Sequence, residues 1–393
     1  MQMTAGAGTQ TIVDWLVGGA RSATSPEGML TTLYEGLVAA GVPLCCATVF
    51  VRTLHPQVMG RRFHWRQAGG IEIEEASYGP SDHPETSDSL LSSMCETGDG
   101  FRRRLINTAA CSDSSLLARL HSEGATDYLA RPLIFSDRSI HVATWTTREP
   151  GGFTAEHIAA IDSIIAPLAR VAEIYALRRT ATNLLDTYVG HNAGERILSG
   201  AIRRGDTLAI EAAIWLSDMR GFTARADRLP PQALIDLLNR YFDCQVPTIL
   251  AHGGEVLKFM GDGLLAIFPT ARHGNSLAEA CANSVGAAID VRNNIAAFNA
   301  SLATDTVRFG LALHIGEVLY GNIGSGNRLD FTCIGPAVNL AARIEKLTAN
   351  LGRTVLVSSA FSRYCTKSLT PVGEFALAGF SAAQPIFGLS DEP

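Results

Sequence analysis

From Ile210 onward the sequence alternates short apolar runs with a longer stretch of helical periodicity. One strand-like run, Ala212–Leu216, precedes the helical stretch Pro231–Ala251, and two more runs follow, Glu255–Met260 and Leu264–Phe268. Short apolar runs bounded by glycine are typical of strands, whereas apolar residues recurring every three or four positions indicate a helix. This half of the chain is therefore predicted to be an α+β domain.

Two acidic residues follow the predicted strands at glycine-containing turns. Asp218 comes just after the first strand and before Gly221, and Asp262 lies in a Gly-Asp-Gly turn. Each has a structural explanation, since aspartate caps helices and Asp-Gly is common in hairpins. Together, two turn-borne acids on neighbouring strands can bring their carboxylates close. Such a pair suits a two-metal site for phosphoryl transfer.

A third segment, residues 327–346, becomes helical from Val338 onward. Asn339 and Arg343 are four residues apart and should share one helix face near its start. An arginine there could stabilise phosphate charge, with the asparagine placing a ribose. The alternative is a surface arginine that pairs with a nearby acid.

Together these segments resemble the catalytic domain of class III nucleotidyl cyclases over about residues 205–390. The resemblance lies in Asp218-Met-Arg-Gly-Phe-Thr, Lys258-Phe-Met-Gly-Asp262-Gly and Asp330-Phe-Thr-Cys-Ile-Gly-Pro-Ala-Val-Asn339-Leu-Ala-Ala-Arg343. It implies a ferredoxin-like βαββαβ core that works as a head-to-tail homodimer. Asp218 and Asp262 would hold two Mg²⁺ or Mn²⁺ ions, Asn339 would orient the ribose, and Arg343 would stabilise the transition state. The metal carboxylates would come from one chain and the remaining contacts from the other.

The same resemblance bears on the choice of base. Lys258, four residues before Asp262, matches the purine-reading lysine of the family, and Thr332, seven before Asn339, matches the position filled by Asp or Thr in adenylate cyclases. A lysine donor with a hydroxyl acceptor complements the N1 and N6 edge of adenine. Guanylate cyclases typically carry glutamate at the lysine position, so ATP is the expected substrate.

Two positions depart from the family pattern on the phosphate side. Ala378 stands where a Lys or Arg is often found, and Glu317 where some cyclases carry an Arg. The terminal phosphates would then be bound by backbone amides of the turn that includes Gly221 and Phe222, by the metal, or by a basic residue such as Arg220.

Residues 25–178 resemble a GAF sensor domain in their order of elements. A helix over Pro26–Ala40 precedes the strands Cys45–Thr53, Tyr128–Phe135 and Ser139–Thr146 and a long closing helix capped by Thr154. The Asn-Lys…Phe…Asp-Glu signature of cyclic-nucleotide-binding members is absent, which leaves the ligand open. The predicted domains are an N-terminal segment 1–24, the GAF-like sensor or dimerisation domain 25–178, a helical connector 179–205 and the cyclase domain 206–393.

The closing helix carries apolar residues at alternating spacings of three and four, which either line the domain's own core or pair with a second chain. They are Ile158, Ile161, Ile165, Leu168, Ala172 and Tyr175.

The composition of the chain argues against several classes of protein. A net charge of −6 offers no electrostatic surface for nucleic acid, and no apolar run reaches the length of a membrane span. The eight cysteines include no C-x-x-C pair, which fits a reduced cytoplasm.

The chain is predicted to be a cytoplasmic homodimeric adenylate cyclase that converts ATP to cyclic AMP and pyrophosphate, regulated by a small-molecule or protein signal at its N-terminal domain. The alternatives are a catalytically silent nucleotide-binding regulatory module and a guanylate cyclase.

Overall fold

A computed structural model describes the chain over residues 5–56, 58–77, 89–105, 114–270, 276–302 and 306–392. The chain forms two compact units, Met1–Leu184 and Leu185–Pro393. Among the described residues, no helix combines the length and the apolar character that crossing a bilayer requires.

The first unit is built on a six-stranded antiparallel sheet in the order β3-β2-β1-β6-β5-β4. Its strands are β1 Cys46–Arg52, β2 Val58–Arg66, β3 Gly70–Ser77, β4 Phe101–Arg104, β5 Asp127–Ile134 and β6 Ile140–Thr147. Its helices are α1 Ala5–Val17, α2 Pro26–Ala39, α3 Ser89–Thr97, α4 Ser115–Ser122 and α5 Ala155–Val189, the last of which continues past the end of the unit.

Two hydrophobic clusters cover the two faces of this sheet. The larger cluster joins α1, α2 and α5 to the sheet, and the smaller joins α3 and α4 to its other face. The predicted helix over 26–40 and the three predicted strands are confirmed, as is the cap, since the Thr154 hydroxyl accepts from the amide of His157. The spaced apolar residues of α5 belong to the unit's own core: Ile161 and Leu168 are fully buried, and Ile158, Ile165 and Tyr175 pack against the same cluster.

The second unit contains an eight-stranded sheet in the order β13-β14-β12-β10-β7-β9-β8, with β11 paired to β10. Its strands are β7 Thr207–Met219, β8 Glu255–Met260, β9 Gly263–Pro269, β10 Phe309–Ser325, β11 Arg328–Ile334, β12 Val355–Ser358, β13 Leu369–Phe375 and β14 Gln384–Leu389. Its helices are α6 His191–Leu198, α7 Phe222–Ala226, α8 Pro231–Asp243, α9 Val246–Ala251, α10 Leu277–Ala300, α11 Pro336–Leu351 and α12 Ser359–Ser362.

The chain order β7-α8/α9-β8-β9-α10-β10 and the central sheet order β10-β7-β9-β8 are those of a ferredoxin-like βαββαβ core. The predicted fold class, α+β, is confirmed. Alternate residues of β7 face opposite layers: Ala213 and Trp215 pack with α10, whereas Ile214 and Leu216 pack with α11.

The helix predicted over 231–251 is divided into α8 and α9. The first part ends at Asp243, and Pro247 lies in the first turn of the second. Proline has no amide hydrogen, and its ring collides with the carbonyl four residues earlier, here that of Asp243. The helix therefore stops and restarts at this point.

Candidate active site

Asp218 and Asp262 lie beside each other at one end of β7 and β9. Asp218 is the penultimate residue of β7 and pairs with Gly310 of β10, while Asp262 occupies the turn between β8 and β9. Because side chains alternate along a strand, Asp218 is on the same face as Leu216, which packs in a cluster shared with α11. The sequence placed Asp218 after its strand, but pairing with β10 extends β7 beyond it.

The glycine that follows Asp262 leaves room for the Asp218 carboxylate. A Cβ atom on Gly263 would lie 3.1 Å from Oδ1 of Asp218 and 3.2 Å from the carbonyl oxygen of Ser217. Any side chain here would press on the carboxylate or on the neighbouring strand. The Gly-Asp-Gly turn therefore serves the site as well as the hairpin.

The two carboxylates form an unfavourable pair. The pKa of Asp218 is raised to about 7, first by burial, then by the negative charge of Asp262, with a smaller effect of Glu345. Burial likewise raises the pKa of Glu345, although the nearby positive charges of Arg220 and Lys346 oppose this. A divalent cation would relieve the repulsion between the carboxylates, so the residues fit such an ion.

Two carboxylates are few ligands for a dedicated metal cage. Among the residues that the structure describes, no group of three or more His, Cys, Asp or Glu side chains is placed to hold a metal. Mg²⁺ is commonly bound through one or two carboxylates, with water and substrate phosphates completing its coordination. Asp218 and Asp262 match this arrangement, in which two carboxylates supply only part of the coordination.

A cavity of about 740 Å³ opens between this end of the sheet and α11. Asp218 and Lys258 line it from the sheet, and Asn339, Ala342 and Lys346 line it from the helix. The spacing of these three positions, first three and then four, places them on one helix face. The cavity thus brings three of the predicted residues together.

Arg343 does not line this cavity. Its Nε atom donates to the carbonyl oxygen of Ala378 at 3.3 Å, on the side of α11 away from Ala342. Asn339 and Arg343 are neighbours on the helix, as predicted, but within one chain they face different surroundings.

Lys258 reaches the cavity because its strand is irregular. The pairing of β8 with β9 shifts register between Val256 and Lys258, as in a β-bulge. As a result Leu257 packs in the cluster shared with α11, and Lys258 lines the cavity beside the same helix. The Nζ atom of Lys258 lies 3.6 Å from Oδ2 of Asp330 on β11.

Thr332 carries a buried hydroxyl with no hydrogen-bond partner among the described residues. The residue is 3% exposed and lies on β11, two positions after Asp330 and hence on the same face of the strand. A buried unpaired hydroxyl is unfavourable, and in a functional region it indicates a group that a ligand can satisfy. It does not line the cavity itself.

The turn after β7 is folded against the protein. Gly221 adopts a left-handed conformation with φ of 71°, and the Phe222 side chain packs against the core shared with α10. Arg220 is committed elsewhere, because its Nη2 atom donates to the backbone carbonyls of Thr348, at 2.7 Å, and of Arg353. Arg220 therefore holds the end of α11 and is not free to bind phosphate.

Sequence reasoning missed Glu345 and Lys346, which both line the cavity. Lys346 has no side-chain hydrogen bond or ion pair with any described residue, and its ammonium group is exposed. The signal was present, since Lys346 lies seven residues after Asn339, two turns along the same face.

Residues 209–385 match the family model of the adenylate and guanylate cyclase catalytic domain. Two relatives are "Adenylate cyclase, terminal-differentiation specific" from Dictyostelium discoideum, 32% identical over 155 residues, and an adenylate cyclase from Anabaena cylindrica, 32% identical over 157 residues. The matches cover 39% and 38% of this chain, but it spans only 7% and 30% of the length of those proteins.

A similar solved structure is that of the adenylyl cyclase CyaB from P. aeruginosa. It is 26% identical in sequence, with a TM-score of 0.43, and the match covers 48% of this chain and 97% of that one. The family match begins at residue 209, so the likeness of the first unit to a GAF domain stays a prediction.

Proposed function

We propose that this chain, whose residues 209–385 belong to the adenylate and guanylate cyclase catalytic-domain family, converts ATP to 3′,5′-cyclic AMP and pyrophosphate. The observation that carries the proposal is the adjacent pair Asp218 and Asp262, of which Asp218 lines a cavity together with Lys258 and Asn339. In the reaction the ribose 3′-hydroxyl gives up its proton to solvent and its oxygen forms a bond to the α-phosphorus. The bond from the α-phosphorus to the oxygen that bridges it to the β-phosphorus breaks, and pyrophosphate leaves with that oxygen.

Asp218 and Asp262 would hold Mg²⁺ or Mn²⁺. When bound, such ions neutralise phosphate charge and lower the pKa of the 3′-hydroxyl. The protein's own contribution is to keep two carboxylates together in a half-buried site, where their repulsion favours cation binding.

Lys258 and Thr332 would read the base. The Lys258 ammonium would donate to adenine N1. The hydroxyl of Thr332, which is buried next to the cavity-lining Cys333 and has no hydrogen-bond partner among the described residues, would accept from the N6 amino group. Asn339 orients the ribose from the start of α11.

Lys346 would bind the terminal phosphates in place of the basic residues missing at positions 317 and 378. It shares a helix face with Asn339, lines the same cavity as Asp218, and has no competing ion pair among the described residues. Arg220, committed to two carbonyls, is excluded from this role.

A second copy of the chain would complete each site. Arg343 lies outside the cavity of its own chain, which fits the head-to-tail dimer that the resemblance implies, in which the partner's metal carboxylates receive this arginine. Lys258 and Asn339 differ, because they line the cavity of their own chain beside Asp218, whereas the resemblance assigns the base and ribose contacts to the other chain. A single chain would then hold two half-sites.

One observation favours a second candidate, guanylate cyclase. Asp330 places a carboxylate 3.6 Å from Lys258, and a carboxylate can accept from the N1 and N2 donors of guanine. The adenylate assignment takes precedence because Lys258 and Thr332 both match the adenylate pattern.

The test is to incubate the purified full chain with ATP or GTP and Mn²⁺ and to quantify cyclic nucleotide and pyrophosphate. Cyclic AMP should form, with Asp262→Ala inactive and Asp243→Ala, an exposed acid of α8, fully active. Cyclic GMP as the main product would replace the assignment by guanylate cyclase. Nucleotide binding and dimerisation without any product would indicate a silent regulatory module.

A further inference from the structure

The first unit contains a cavity of about 430 Å³ between the start of α2, the strands β1 and β2, and the second half of α5. Its floor is apolar and belongs to the main core of the unit. The buried residues that form it are Met29, Leu30, Val49, Val51 and Phe63. A cavity of this size with largely apolar walls is typical of a site for a small organic molecule.

The mouth of the cavity is positively charged. Arg61, Arg178 and Arg179 line it, and Glu27 is the one acidic residue among the lining residues. Hydroxyl groups complete the polar rim, contributed by Thr24, Ser25, Thr53, Tyr175 and Thr182. The cavity therefore combines an apolar interior with a cationic entrance.

Two of the three arginines are free to bind a ligand. Arg61 donates from Nε to Oε1 of Glu75 at 2.9 Å, so its charge is already paired. Arg178 and Arg179 are exposed, and their guanidinium groups make no hydrogen bond or ion pair with any described residue. The pKa of Glu75 is lowered by its hydrogen bond to Arg61 and further by the charges of Arg61 and Arg179, which reflects the positive potential here.

We propose that this cavity binds an amphipathic organic anion, with its apolar body on the core residues and its head group on Arg178 and Arg179. Arginine presents a planar fork of donors that matches a carboxylate or a phosphate, and two adjacent guanidinium groups that form no ion pair with the described residues favour a charged over a neutral head group. A purely apolar ligand would leave the arginines unused. A fully polar one would leave the apolar floor uncovered.

Arg178, Arg179 and Thr182 all belong to α5, whereas the floor belongs mainly to α2 and the sheet. A ligand that contacts both would tie the second half of α5 to the rest of the first unit. Binding would raise the stability of this unit, because the ligand binds the folded state and not the unfolded chain. This site lies outside the cyclase domain, so it does not depend on the proposed activity.

The test is isothermal titration calorimetry of the full chain with decanoate, decyl phosphate and the neutral control 1-decanol. The variants are Arg178→Gln/Arg179→Gln, which removes the head-group contacts, and Ala176→Phe, which fills the cavity from its lining. Arg170→Gln is the matched control, because Arg170 is an exposed arginine of the same helix that does not line the cavity.

We expect saturable binding of one decanoate per chain in the wild type and in Arg170→Gln. The double variant should bind decanoate at least tenfold more weakly than the wild type does. The wild type should bind 1-decanol at least tenfold more weakly than decanoate. Ala176→Phe should not bind decanoate, but it should still show the thermal unfolding transition of a folded chain. Decyl phosphate binding more tightly than decanoate would assign a phosphate head group, and the reverse a carboxylate. The proposal would be overturned if neither anion showed saturable binding to the wild type, if the double variant bound decanoate with unchanged affinity, or if Ala176→Phe still bound decanoate.

Discussion

At the residue scale, position on an element decides which side chains share the cavity. Asn339 and Lys346 lie two turns apart on one face of α11 and line the cavity, whereas Arg343, four residues from Asn339, contacts Ala378 instead. A small angular difference on a helix therefore separates a residue that lines a chain's own cavity from one that faces elsewhere.

Substituting Lys346 should weaken nucleotide binding selectively. Lys346→Ala removes the exposed ammonium group that we assign to the terminal phosphates, so KM for ATP should rise several-fold, about 1 kcal/mol of binding free energy, with a smaller effect on kcat. Steady-state kinetics measure this, and Lys367→Ala, an exposed lysine outside the cavity, serves as the control. An unchanged KM would remove Lys346 from the phosphate site.

Acid should destabilise the protein partly through His314. Burial lowers the pKa of His314 from 6.5 to about 4, and its Nδ1 atom lies 2.7 Å from Oγ of Ser358. Between these two pKa values the unfolded chain takes up a proton that the folded chain excludes. Stability is therefore lost as pH falls from 6.5 towards 4.

For His314→Asn this loss should be smaller. Between about pH 7.5 and about pH 5, the wild type should lose up to about 2 kcal/mol more free energy of unfolding than the variant, as measured by urea denaturation. Parallel pH profiles for both proteins would show that His314 is not the group responsible.

At the element scale, α11 is held by a side chain from a distant strand end. Arg220 donates to the carbonyls of Thr348, within α11, and of Arg353, just beyond its end. The last carbonyls of a helix have no partner inside the helix, so a half-buried arginine that binds them secures its end. The same helix carries Asn339 and Arg343 at its start.

Arg220→Gln should therefore reduce the stability of the protein more than it weakens substrate binding. Loss of a charged donor to two carbonyls should lower the free energy of unfolding by about 1.5–3 kcal/mol. We expect kcat to fall and KM for ATP to stay nearly unchanged. Thermal unfolding and kinetics are compared with Arg204→Gln, an exposed arginine before β7. A large rise in KM at unchanged stability would return Arg220 to the phosphate site.

At the scale of the whole molecule, the two units carry separate cavities with different chemistry. That of the second unit is lined by carboxylates, lysines and an asparagine, while that of the first has an apolar floor and arginines at its mouth. We propose that the first unit regulates the second. A chain beginning at Leu185 lacks the first unit but keeps α6, whose Ala193 is buried in the core of the second unit. Its cyclase activity can therefore be compared with that of the full chain.

Mixing two inactive variants should restore activity if each site is shared by two chains. Asp262→Ala lacks a residue to which we assign metal binding, and Arg343→Ala lacks the residue to which we assign stabilisation of the transition state. A mixed dimer has one doubly altered site and one intact site, so random mixing of equal amounts should recover about a quarter of the wild-type activity. Cyclic AMP formation by each variant alone and by the mixture measures this. No recovery, with exchange of chains confirmed, would place both residues in a site formed within one chain.

The sequence by itself determined the local elements and the identity of the chemical groups. Apolar periodicity predicted β8 and β9 around the Gly-Asp-Gly turn, and the family resemblance carried by the motifs around Asp218, Asp262 and Asn339 implied the ferredoxin-like core. The strands and the turn depend on residues close together in the chain, where hydrophobic pattern and turn chemistry act directly.

Only the tertiary structure decided how distant residues are used. The contact of Arg220 with Thr348 joins positions 128 residues apart, and it turns an apparent phosphate ligand into a support for α11. The bulge that directs Lys258 into the cavity and the exposure of Lys346, which forms no ion pair with any described residue, likewise depend on which elements pack together. Periodicity specifies the face of a helix or a strand, but the partner of that face is set by packing between elements far apart in the sequence.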